Sequence, residues 1–173
     1  MSSQWRLKHF YHTIINAKRI DETVAFYEML GFVIISDRRD ADWPKGGGLS
    51  FGLIPDTKGR GVLMILPDDP DGPMMDIIEW VEPKAAFAEP SSTTIPRVIA
   101  FRTENVRQAH KELKAKGVVF TTEEPTSIPQ AGIVACAVAR DPNGNLIEMI
   151  ELEPGLRHSK IGEVFSSSKS AHR

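Results

Sequence analysis

A single cysteine, Cys136, gives this 173-residue chain no partner for an intramolecular disulfide. No stretch approaches the ~20 apolar residues of a membrane span. The opening Met1-Ser-Ser-Gln-Trp-Arg also lacks the apolar run of a secretory signal, so the expected address is the cytoplasm. An excess of charge of one sign is missing as well. Lys plus Arg number 21 against 23 Asp plus Glu, a net charge of -2, which leaves no basic field to draw in phosphate backbones or anionic lipid. Neither nucleic acid nor a membrane is an expected partner. What remains is an ordinary globular composition, 41% hydrophobic and 25% charged, which excludes disordered and fibrous classes and supplies enough apolar residues for a sizeable core.

The chain repeats one pattern twice. Residues 11–31 align without gaps to residues 97–117, and each segment reads as strand, polar turn, amphipathic helix and terminating glycine. In the first copy Asp21 is the expected N-cap, with Val24, Phe26, Tyr27 and Leu30 as the buried stripe and Gly31 as the stop. In the second, Asn105 is the cap, Val106, Ala109 and Leu113 the stripe, and Gly117 the stop. Runs suited to strands follow at Phe32 to Ser36, Gly48 to Leu53, Gly61 to Leu66 and Met74 to Val81. Their second-half counterparts are Val118 to Thr122, Ile133 to Ala139 and Asn145 to Leu152. The closing strands match too: Asp76-Ile-Ile-Glu-Trp80 against Glu148-Met-Ile-Glu-Leu152, each an acid, two apolar residues, an acid and a large apolar residue. The reading is therefore a first βαβββ module at 6–83, a linker at 84–96, a second module at 97–153 and a C-terminal tail at 154–173.

Two tandem βαβββ units resemble the vicinal oxygen chelate superfamily, which includes glyoxalase I, extradiol dioxygenases and bleomycin-binding proteins. The likeness is carried by Tyr11-His12, by Phe26-Tyr27-x-x-Leu30-Gly31 and by Arg140-Asp-Pro-Asn-Gly-Asn-Leu-Ile-Glu148. It implies an α+β fold in which the modules form an open, barrel-like sheet around a shared cavity, commonly with a divalent metal held by the first and last strands of each module. Carried over position by position, those strands offer His12, Asp76 and Glu148 as ligands. The fourth position is Val98, which cannot bind metal. Zn, Ni, Co, Mn, Fe or Mg would suit such a set, and the resemblance also implies a homodimer.

Side-chain alternation supplies the lining of the cavity. If His12 points inward, so do Phe10, Ile14 and Asn16, while Asp76 shares its face with Met74, Ile78 and Trp80, and Val98 with Ala100 and Arg102. Phe10, Ile14, Asn16, Trp80, Val98 and Arg102 are the expected substrate-binding residues, which suit a small, oxygen-bearing and partly apolar molecule. Arg102 either holds an anionic group or pairs with Glu148 or Asp76. Asn16 bonds substrate or a neighbouring backbone group. Trp43 lies in a glycine-rich rim loop, whose Lys45 and Gly46-Gly-Gly48 lack a P-loop context. His9 and His110 are expected at the surface, and Cys136 as packing in an apolar strand.

Two functions fit. One is a metal-dependent lyase or isomerase of the glyoxalase type, in which the metal stabilises an enolate and Glu148 is the catalytic base. The survival in register of His12 and Glu148 favours it. The other is a non-catalytic protein that binds or sequesters a small molecule, favoured by Val98.

Overall fold

The computed structural model describes residues 10–43, 56–84 and 97–156. The chain divides into two compact units, residues 1–89 and 90–173. The first contains β1 (His12–Asn16), α1 (Ile20–Met29), β2 (Val33–Arg38), β3 (Lys58–Ile65) and β4 (Met74–Glu82). Its sheet runs β1-β4-β3-β2, with β1 parallel to β4 and the other pairs antiparallel. The second unit repeats this with β5 (Val98–Arg102), α2 (Val106–Ala115), β6 (Thr126–Ile128), β7 (Ile133–Arg140) and β8 (Leu146–Leu152), in the order β5-β8-β7-β6. Two four-stranded sheets, each with one helix, make the fold α+β. The expected strand from Gly48 to Leu53 lies outside the described residues, as do most of the linker and the tail from 157.

Each helix covers one sheet face because its apolar stripe and the odd-numbered residues of the last strand face each other. In the first unit α1 packs on β3 and β4. Ile20, Val24 and Tyr27 are buried, as are Ile15, Val62, Met64, Met75 and Ile77 of the sheet. Each such side chain contributes about 1.5–3 kcal/mol of burial. Tyr27 also meets Phe26 and Phe32 edge to face, at 5.3 and 5.7 Å. In the second unit the buried Ala135, Ala137 and Ala139 of β7 make a small-residue surface on which α2 sits beside Ile147 and Met149. Both helices stop where expected, at Gly31 (φ 96°) and Gly117 (φ 90°), whose left-handed backbone suits glycine.

Three expectations are corrected. Helix α1 begins at Ile20, not Asp21, and its N-cap, Arg19, makes no side-chain capping bond. The orphan N–H of Ile20 is instead taken by Glu79 Oε2 on β4 at 3.0 Å. The second module does the same, with Glu151 Oε2 accepting from Val106 N–H at 2.9 Å, while Asn105 caps Gln108 as expected. The repeated acid-apolar-apolar-acid pattern thus has a structural half: its second acid anchors the helix N-terminus, where negative charge is favoured. Secondly, Val118 to Thr122 forms only an isolated bridge, Phe120 to Ala139, before the chain bends and β6 starts at Thr126. Pro125 has no N–H to donate to a ladder, which breaks the edge at that point. Thirdly, His110 is buried at 4% exposure, its ring 4.2 Å from Phe120, rather than lying at the surface.

Candidate functional site

With the odd-numbered residues of β4 turned to the helix, Met74, Asp76, Ile78 and Trp80 occupy the other face, joined through the β1 register by His12, Ile14 and Asn16. The alternation read from the sequence therefore holds within the first unit. His12 pairs in register with Met74 and Ile14 with Asp76, so His12 and Asp76 are diagonal neighbours on this face. His12 is half-buried, its ring 5.1 Å from that of Tyr11, while Phe10 is 65% exposed.

The partners of these groups differ from expectation. Asn16 is exposed, and its Oδ1 accepts from Trp80 Nε1 at 3.0 Å, which orients the indole. Trp80 is buried and meets Trp43 edge to face, ring centroids 5.3 Å apart. Asp76 accepts a hydrogen bond from Arg38 Nη2 on β2, at 2.9 Å, and its side chain is only 13% exposed.

Arg38 crosses the sheet to reach Asp76 because β3 offers no obstacle. Its register partner is Gly61, and a methyl group there would lie 3.1 Å from the guanidinium. Gly59, the next same-face residue on β3, is covered by the Trp43 ring at 3.2 Å in the same sense. The two glycines are a floor on which a cation and an indole lie flat. Arg38 is the residue that sequence reasoning missed. A Gly-x-Gly pair inside a strand was the available signal, since glycine there marks a close approach from above.

In the second unit Glu148 stands between Ala100 of β5 and Val138 of β7. These small neighbours leave its half-buried carboxylate accessible from the sheet face. Cys136, on the same face, is buried as packing would require, yet its Sγ also lies 3.5 Å from Glu148 Oε1 as a donor. Burial, and then this bond, pushes the thiol up to about 11. The strand carrying Glu148 is aimed by the preceding turn. Asp141, 5% exposed, accepts from the backbone N–H groups of Asn143 and Asn145 at 2.9 and 2.8 Å, and Gly144 takes a φ of 89°. Val98 is 50% exposed, and Arg102 is exposed without an ion pair among the described residues.

These donors do not fit a resident divalent ion well. A guanidinium 2.9 Å from Asp76 already compensates that carboxylate, and a second cation there would be repelled by the first. The Val98 position adds no ligand.

Paired βαβββ units with a half-buried acid on the sheet face opposite each helix define the glyoxalase-like class of fold. The family model for the Glyoxalase/Bleomycin resistance protein/Dioxygenase superfamily matches residues 9–149, and the chain belongs to that superfamily. It is 32% identical over 139 residues to the uncharacterised protein YurT of Bacillus subtilis, covering 76% of this chain and 89% of that one. A glyoxalase family protein of Bacillus cereus superposes with a TM-score of 0.72 at 16% identity, over 88% of this chain and 99% of the other. An antibiotic binding protein from a Streptomyces species shares the fold with a TM-score of 0.57 at 19% identity, over 87% of this chain and 100% of that one.

Proposed function

We propose that the protein binds a small, partly aromatic molecule on the sheet face of its first module opposite α1, without a resident metal. The observation that carries this reading is the Arg38–Asp76 ion pair, which puts a fixed organic cation on the carboxylate that the superfamily pattern would assign to a metal. Trp43 and Trp80 supply an aromatic wall beside it. Asn16 contributes indirectly, by holding the Trp80 indole. The antibiotic binding protein of similar fold is compatible with such a role. The test is calorimetric titration of chelator-treated protein with a panel of aromatic small molecules. Saturable binding lost in Trp43→Phe together with Arg38→Met supports the reading, and binding that appears only on adding a divalent metal refutes it.

A second reading is favoured by Glu148, whose carboxylate stands between Ala100 and Val138 and, among the described residues, has a thiol as its hydrogen-bond donor. In a lyase or isomerase of the glyoxalase type this residue is the proton-transfer base and His12 a ligand for a divalent ion. Metal-stimulated turnover abolished in both Glu148→Gln and His12→Ala would establish it in place of the first.

A further inference from the structure

We propose that Arg38 and Trp43 form a metal-free recognition site for an aryl carboxylate. This rests on the binding reading above and names its ligand class. Gly59 and Gly61 lie two residues apart on β3, so both open onto the same face, about 7 Å from one another. Trp43 covers the first and Arg38 the second. Two flat groups therefore lie side by side, one aromatic and one cationic.

Each of them carries a buried donor without an acceptor. Arg38 Nε and Trp43 Nε1 are shielded from solvent and make no hydrogen bond among the described residues. Buried donors in folded proteins are nearly always paired, and an orphaned one costs the desolvation of its N–H. Two such donors on one sheet face have no acceptor among the described residues, and an entering ligand that carries oxygen acceptors satisfies them.

Arg38 gives Asp76 a bond from Nη2 alone, so Asp76 orients the guanidinium while its Nε stays unpaired. A carboxylate answers that arrangement best. It is acceptor-only, it presents two oxygens to the planar fork of arginine, and its bond to a cation is charge-assisted. Asp76 partly cancels the positive charge, which sets the affinity below what a lone arginine would give. The Trp43 and Trp80 rings, meeting at 74°, provide the surface against which an attached arene packs. A hydroxyl beside the carboxylate supplies an acceptor for Trp43 Nε1.

The probe is 3-hydroxy-2-naphthoate, titrated into chelator-treated full-length protein by calorimetry, with 2-naphthol as the control lacking a carboxylate. Nitrogen-15 spectra follow the Arg38 Nε–H and Trp43 indole signals, the latter assigned by Trp43→Phe. Expected results are saturable binding of the naphthoate, at least tenfold weaker binding of the naphthol, and movement of both N–H signals. Arg38→Met should weaken the naphthoate tenfold or more. Asp76→Asn, which removes the competing charge, should strengthen it a few-fold, the reverse of what loss of a metal ligand would do.

Unchanged affinity in Arg38→Met, or weakening in Asp76→Asn, overturns the proposal. If Arg38→Met does not fold, Arg38→Lys keeps the charge and loses the fork, and its failure to weaken binding overturns the proposal equally. Naphthol binding as tightly as naphthoate sinks the carboxylate class while leaving the binding reading intact. Failure of both compounds to bind removes both.

Discussion

The Cys136 thiol is pushed up to about 11 by burial first, and then by its hydrogen bond to Glu148 and that group's negative charge. At neutral pH it is therefore a donor and a poor nucleophile. Because the folded value lies above the ordinary thiol value of 9.0, its contribution to stability is complete below about pH 9 and disappears as the pH rises through about 11. Alkylation by iodoacetamide should follow the same titration, with its rate rising toward pH 11 in the native protein. Glu148→Gln removes the charge and should move that rise to lower pH, read as faster alkylation at pH 9. At His110 the sequence offered an ambiguous choice. Val106, Ala109 and Leu113 make a stripe, but so do Val106, His110 and Leu113, and the structure uses the second, with His110 Nε2 buried and without a hydrogen bond among the described residues. His110→Phe keeps the ring against Phe120 and removes the orphaned nitrogen, so it should raise stability by about 1 kcal/mol in denaturant unfolding.

Both helices are held at their N-termini by a glutamate from the last strand of the same module, 59 positions away for Glu79 and 45 for Glu151. Glu79→Ala and Glu151→Ala should each cost about 1–2 kcal/mol, the usual worth of a helix cap or a charge-assisted bond. The glutamine variants keep an acceptor and should cost less, and urea unfolding midpoints check the order. The elements themselves were largely legible. Seven of the strands and both helices fall on runs marked by periodicity, glycine stops and the internal repeat. The cap of α1 was not, because local rules look for the acceptor next to the helix, and Asp21 is the nearest acid in sequence. In the structure Asp21 faces Arg39 at 2.7 Å instead. Likewise β3 starts at Lys58 rather than at Gly61, since glycine signals turn and close packing alike.

For the whole molecule, duplication was the strongest signal, and it placed Asp76 and Glu148 on corresponding strands, as it did His12 and Val98. It could not show Arg38. That residue lies on β2, away from the strands that carry the ligand positions, and only the pairing of β2 with β3 brings it to Asp76. The same contact decides how the protein should respond to metal removal. A resident ion present at a thousand times its dissociation constant stabilises the folded state by about 4 kcal/mol. For a chain of this size each kcal/mol corresponds to roughly 2–4 °C, so chelation would lower the melting temperature by roughly 8–16 °C. Here Asp76 is compensated by Arg38, and Val98 supplies no donor. Protein purified without chelator should therefore melt at the same temperature before and after dialysis against EDTA, and calorimetric scans of the two samples should superpose. A drop of several degrees, restored by adding back Zn or Ni, would show that metal binding outweighs the Arg38 ion pair, and would transfer the site's chemistry to His12 and Glu148.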